Sequence, residues 1–196
     1  MLFEDIMMNH EEKKVVGLCK KLSKSCSFTK NADITSLCEL AYWLYIYGCK
    51  EEALKVCEYA NIEIPDKINY NVWDFIIWIW GLEAYIYNEA GREDDKNFRI
   101  AQMKKVWSTP KGNGDTEEKA WKFHQKIMNR ETLESICKTS KIEEASAAND
   151  KKSENIYRFT SLYRMIGYGV TGFYPNLEDN KEKLSEKIND YIMRLR

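Results

Sequence analysis

Residues 72–87 read VWDFIIWIWGLEAYIY, and the reading of this stretch decides the fold. The run is too long for an ordinary strand of about 5–6 residues. It is too short to span a bilayer, which takes roughly 20 apolar residues. Asp74 and Glu83 interrupt it near its two ends. The stretch therefore predicts a buried central helix. Asn71, with Asp74 three residues on, supplies a start signal, and Gly91 supplies the stop. A helix apolar on all sides has to be covered by at least two neighbours. Trp73, Trp78 and Trp80 would each bury on the order of 200 Å² there. A strand over Phe75–Trp80 is the alternative, because short apolar runs fit both periods.

The bulk numbers bound what surrounds it. A chain of 196 residues is long enough to bury a real core, and residues 1–196 read as one domain. Hydrophobic residues at 44% and charged residues at 31% are the balance of a globular chain. A net charge of −1 gives no general attraction to nucleic acid or anionic lipid. Lys outnumbers Arg, the better reader of bases and phosphates. The six cysteines, Cys19, Cys26, Cys38, Cys49, Cys57 and Cys137, include no C-x-x-C pair. They read as free thiols in a reducing compartment. The N-terminal stretch lacks the basic and apolar regions of a secretory signal, and no segment is long enough to cross a membrane. The expectation is a cytoplasmic protein.

Pro65, Pro110 and Pro175 are the only prolines, and each falls between helical patterns. Residues 9–25 predict a helix opened by Asn9 and Glu12, with Val15, Leu18, Cys19 and Leu22 inward. Residues 33–48 follow, starting at Asp33, with Leu37, Leu40, Ala41 and Leu44 in one stripe and Gly48 as the stop. Residues 50–61 come at once, with Ala53, Val56, Cys57 and Ala60 inward and Pro65 closing the unit. A junction this short forces an antiparallel hairpin.

On those residues, the segment 37–65 resembles one tetratricopeptide repeat. Leu37, Leu40-Ala41, Leu44, Gly48, Ala53, Cys57, Ala60 and Pro65 fall on the family's pattern of large and small positions, turn glycine and closing proline. Cys57 departs from it, since a larger aromatic is usual there. The match covers about one-sixth of the chain. Residues 72–91 and 94–107 repeat the long helix, glycine turn and second helix in degenerate form, with Lys96 where a small residue is expected. The resemblance implies stacked antiparallel helix pairs over residues 9–107, either a small superhelix or an irregular bundle. It also implies a concave face lined by the first helix of each pair, which here places Tyr42, Tyr45 and Ile46 on the partner-binding surface. The Lys and Asn residues with which some members clamp a peptide carboxylate are absent. Thr35, Cys38, Tyr42 and Tyr45 stand there instead.

The remaining chain, 115–196, reads as further helices. Asp115 and Glu118 open one whose inner face is Ala120, Phe123, His124 and Ile127. A second covers 131–143, with Leu133, Ile136 and Cys137 inward. Residues 145–153 are small and polar and read as a mobile connection. Ser153 then caps a helix with Ile156, Phe159, Tyr163 and Ile166 in one stripe. Residues 167–176 form a glycine-rich break. A final helix from about 178 to 195 carries Leu184, Ile188, Tyr191, Ile192 and Leu195 inward.

Catalytic motifs are scarce. Gly167, Gly169 and Gly172 spell G-x-G-x-x-G, but a helix precedes them where dinucleotide binding needs a strand. They read as a flexible, helix-ending loop. His10 and His124 have no cysteine or carboxylate pair at ligand spacing in the linear sequence. His124 reads as a core or edge residue, with Glu117 two turns away. The acidic pairs Glu51-Glu52, Asp94-Asp95, Glu143-Glu144 and Glu178-Asp179 read largely as helix-start charges. The sequence therefore predicts an all-α, non-enzymatic module without cofactor or metal that binds a protein or peptide, and neither nucleic acid nor membrane. Two alternatives stand beside it. One is a small bacterial immunity-type antagonist of one toxin-like partner. The other is an enzyme or small-molecule binder with a pocket beside the Trp73–Trp80 helix.

Overall fold

Every element in the computed structural model is helical among the residues it describes, which are 2–27, 30–62, 70–110, 114, 116–169 and 172–196. In chain order they are α1 (Leu2–Met8), α2 (Lys13–Lys24), α3 (Asn31–Ile46), α4 (Lys50–Ile62), α5 (Tyr70–Glu89) and α6 (Glu93–Trp107). Then follow α7 (Glu117–Met128), α8 (Leu133–Cys137), α9 (Thr139–Ala147), α10 (Lys151–Arg164) and α11 (Lys181–Leu195). A π-turn, Met165–Gly169, extends α10, and a 3₁₀ segment, Pro175–Asn180, leads into α11. Pro65 and Asp115 lie outside the described residues, as do the side chains of Asn71 and Trp73.

Residues 72–87 lie in α5, a helix rather than a strand, and it is central. It packs on α3, α4, α6, α10 and the π-turn. Ile76, Ile77, Ile79, Leu82, Ala84 and Ile86 are all buried along it. Successive helices from α1 to α6 each touch the next, and α3 also touches α5. In the second half, α10 is the hub, touching α8, α9 and α11.

The turn between α3 and α4 shows how a few residues set this path. Gly48 has φ +88°, a conformation costly for any residue with a Cβ. Its N–H donates to the Tyr45 carbonyl at 2.9 Å, and the Cys49 N–H donates to the Leu44 carbonyl at 2.8 Å. These two bonds are a Schellman cap, and α4 begins at Lys50, so α3 and α4 must run antiparallel. The α3 end is held from afar as well, because Arg196 Nε donates to the Ile46 carbonyl.

Several boundaries differ from the sequence reading. A separate helix, α1, precedes Asn9, and α2 starts at Lys13 without a side-chain cap. Helix 131–143 is two helices, broken at Lys138, whose φ is +49°. The break has a cause: the Cys137 carbonyl accepts from the Ser161 hydroxyl at 3.0 Å and the Tyr191 hydroxyl at 2.9 Å. The 145–153 stretch is no loose connection. α9 runs to Ala147, and α10 is capped by Asp150, which accepts from the Ser153 N–H at 3.0 Å, so Ser153 is not the cap. Thr116, not Asp115, caps α7. On α7, Phe123 and Ile127 are exposed rather than inward, because α6 is the main element packed on that helix among the described residues.

Gly167 and Gly169 belong to the π-turn and are buried, which replaces the flexible-loop expectation. They are contact residues. A Cβ on Gly81 would sit 2.7 Å from the Gly167 carbonyl oxygen, and one on Gly167 would sit 2.8 Å from Trp78 Cδ1. The crossing of α5 with the π-turn therefore depends on backbone meeting backbone.

Candidate functional site

The residues expected on the binding face are core residues. Tyr42 and Ile46 are fully buried and offer no surface to a partner, and Tyr45 is only 6% exposed. The reason is that α3 is apolar on nearly every side and is packed against α2, α4 and α5 at once. The Tyr42 hydroxyl donates to the Trp78 carbonyl at 3.0 Å, inside the core. Tyr45 donates to Glu89 at 3.1 Å and meets the Tyr85 ring edge-on.

Trp43, next to Tyr42 on the same helix, is also buried at 8% exposure, but it lines a groove. Trp43 forms the floor of a groove of about 340 Å³ between α3 and α10, with Lys14 from α2 and Leu195 from α11 at its rim. The Trp43 ring stacks on Phe159 at 4.8 Å and 14°. Phe159 meets Tyr163 edge-on at 5.0 Å, and Tyr163 stacks flat on Trp78 at 4.9 Å. A ladder of rings thus runs from the groove into the core. Ile156, one turn before Thr160 on α10, is half exposed at the mouth. The sequence placed Ile156 with Phe159, Tyr163 and Ile166 on one inward stripe, but only Tyr163 and Ile166 of these are buried.

Two polar atoms in the groove wall, Asn155 Oδ1 and the Tyr163 hydroxyl, are withdrawn from solvent, and Asn155 Oδ1 makes no hydrogen bond among the described residues. The Cys38 thiol interacts with the Tyr163 hydroxyl, but a thiol is a weak partner. Buried polar atoms are normally satisfied, and exceptions mark a bound water or ligand. Burial raises the Tyr163 phenol well above its usual range, so it stays protonated, with its O–H directed at Cys38. Charge at the rim is mixed. Glu39 is raised by burial, an effect that Lys14 and Lys21 oppose. Lys14 Nζ lies 5.8 Å from the Trp43 ring centre, and Lys152 is exposed on the α10 side.

A second cluster lies at the start of α4. His10 Nδ1 is 2.9 Å from Glu12, and Nε2 is 2.6 Å from Glu52. The side chain of His10 is 6% exposed. Its burial works against the charged form, but the hydrogen bonds and charges of Glu52 and Glu12 outweigh it and raise the imidazole above its ordinary value. Cys49 completes the group, with ligand atoms of His10, Cys49 and Glu52 all within 4.8 Å of one another. Sequence spacing missed this, since His10 and Glu52 are 42 residues apart. His124 is different, a partly buried ring stacked on Trp107 at 5.8 Å.

A third polar group is structural. Glu83 is fully buried on α5, where Arg99 of α6 grips it through Nε at 2.9 Å and through its terminal nitrogen at 3.0 Å. The Tyr87 hydroxyl donates to the same carboxylate at 2.9 Å. This network locks α5 to α6.

No described helix is long and apolar enough to cross a membrane. The chain belongs to DUF6707, a family of unknown function whose match spans residues 1–196. No curated protein and no solved structure matches it.

Proposed function

We propose that this member of the DUF6707 family is a non-catalytic module that binds a protein partner through a short amphipathic segment in the groove between α3 and α10. The observation that carries the reading is the combination in one groove of a half-exposed Ile156, the Trp43–Phe159 stack and a buried Asn155 oxygen without a partner among the described residues. Aromatic and aliphatic anchors in a desolvated pocket are what hot spots of recognition are made of. A volume of about 340 Å³ is at the low end of ligand pockets and fits an anchoring side chain rather than a large cofactor. The occupant has one apolar anchor for the ring floor and a flanking acidic residue for Lys14 and Lys152. Asn155 hydrogen-bonds its backbone. The contact of α3 with both α4 and α5 supports the tetratricopeptide-like reading of α3–α6. The six free cysteines support a reducing, cytoplasmic setting.

The immunity-type alternative would use an acidic face. Glu12, Glu51 and Glu52 do act together on the Cys49 thiol, but His10 already pairs with two of these carboxylates. The groove is therefore preferred.

The test is photo-crosslinking in the source cell with a benzoylphenylalanine at position 156 and, as control, at exposed Phe98. One protein captured at 156 alone, through a segment with an apolar and an acidic residue, is the expected result. No capture at 156, or the same capture at both positions, would refute the groove.

A further inference from the structure

We propose that His10, Cys49 and Glu52 form a three-ligand site for a divalent cation of the zinc class, with Glu12 as the residue that fixes the imidazole. The ligand set is mixed nitrogen, sulfur and oxygen, which suits zinc or cobalt and does not suit the all-oxygen preference of magnesium or calcium. The spacing is compatible. Around a tetrahedral zinc with bonds of about 2.0–2.3 Å, ligand atoms lie roughly 3.2–3.7 Å apart. In the structure the three ligand atoms lie within 4.8 Å of one another, and Nε2 and the Glu52 oxygen are at 2.6 Å. The imidazole and carboxylate part by less than an ångström or so, and Sγ closes in by a similar amount.

The surroundings also point to a cation. Glu12 takes the Nδ1–H of His10 at 2.9 Å, which leaves Nε2 aimed at Glu52 and the metal position. A carboxylate behind a ligating histidine is the usual second partner of such a ring. Cys49 stands three residues before Glu52 in the chain, so one short segment supplies both the thiol and the carboxylate. The thiol has only a long contact, 3.9 Å, to the Tyr47 carbonyl to give up. The backbone supports the arrangement. Gly48 turns the chain so that Cys49 stands immediately before α4 and Glu52 in its first turn. His10 comes from the segment between α1 and α2, so metal would tie that segment to the α3–α4 turn. Three protein ligands leave a fourth coordination position, and Cys49 and Glu52 are partly exposed, so that position opens to water. The site shares no residue with the groove, so the two readings stand or fall separately.

The experiment is a titration of the chelator-treated full chain with Co²⁺, read by absorbance. The expected result is a one-to-one complex with visible bands of tetrahedral cobalt and a near-ultraviolet thiolate charge-transfer band. Cys49→Ser removes the charge-transfer band and Cys26→Ser keeps it. Glu12→Gln weakens binding about 10–100-fold without removing a ligand. Zinc at about 100 times its Kd raises Tm by about 5–10 °C in the wild type. Circular dichroism checks that each variant is folded. If Cys49→Ser does not fold, Glu12→Gln alone decides the matter. A charge-transfer band absent from the wild type, a band that survives in folded Cys49→Ser, or unchanged affinity in Glu12→Gln would overturn the assignment.

Discussion

Replacing Gly81 with Ala adds one methyl group at the point where α5 meets the π-turn. The added Cβ would lie 2.7 Å from the Gly167 carbonyl oxygen, 3.0 Å from the carbonyl carbon, and closer still to Gly167 Cα. These are backbone atoms and cannot rotate away. Carbon atoms settle at about 3.5–4.0 Å, so the two segments must part by about 1 Å. A gap of that size forfeits about a quarter to a half of each nearby van der Waals contact. Over about 40 contacts of 0.1–0.2 kcal/mol, the loss spans about 1–4 kcal/mol, with its middle at about 2–3 kcal/mol. Alanine recovers about 1 kcal/mol of helix propensity relative to glycine. The net destabilisation is about 1–2 kcal/mol, within the range of overpacked cores. Tm falls by about 2–4 °C per kcal/mol in a chain of this size. Gly17 is the matched control. It lies exposed in α2, and a Cβ there meets nothing within 4 Å. Gly17→Ala should stabilise by about 0.5–1 kcal/mol. Urea denaturation followed by circular dichroism measures both. If Gly81→Ala is as stable as wild type, or gains like Gly17→Ala, the close crossing is not there.

Other predictions probe different parts of the molecule. Arg99→Met strands the buried Glu83 carboxylate and should destabilise by about 3–5 kcal/mol, and Glu83→Leu combined with Arg99→Leu should recover much of it, as urea midpoints will show. Gly48→Ala should cost about 1–2 kcal/mol, because the methyl group has room but φ is +88°, and thermal melts report it. The hydrogen bonds that Asp150 accepts at Ser153 lower its carboxyl below the ordinary value. Its contribution is therefore present above the unfolded-state pKa of about 3.9 and lost as pH falls through the folded value. The stability gap between wild type and Asp150→Ala should be open at pH 7 and narrow below about pH 4, and a gap independent of pH would contradict the capping role.

The sequence showed α5, because sixteen mainly apolar residues followed by a glycine stop admit few other structures, although the helix already includes Tyr70 and Asn71, so Asn71 is not its cap. It showed the ends of α3 and α5 as well, since Gly48 and Gly91 are local signals that need no knowledge of neighbours. What it could not show was decided by contacts distant in sequence. Helix α3 is apolar on nearly all sides, so no periodicity separates a core face from a binding face. Tyr42, Trp43 and Tyr45 are all buried there, and Trp43 differs in lining the groove beside α10. Ile156 has a core-like neighbourhood in sequence, yet no element covers it among the described residues. The helix break at Lys138 depends on hydroxyls from Ser161 and Tyr191, which no local pattern reveals. The grouping of His10 with Cys49 and Glu52 likewise exists only once α4 has folded back beside the α1–α2 segment.

The groove is the centre of the account, and one measurement bears on it most directly. A peptide of the segment captured at position 156 is titrated calorimetrically into wild type and into Ile156→Asp, whose fold is checked by its melting curve. The substitution is at a half-exposed position, so its effect on stability should stay within about 1 kcal/mol. The account predicts at least a tenfold loss of affinity, about 1.4 kcal/mol, from placing a carboxylate among the rings. Equal affinity in the two proteins would contradict it and remove the groove as the binding site.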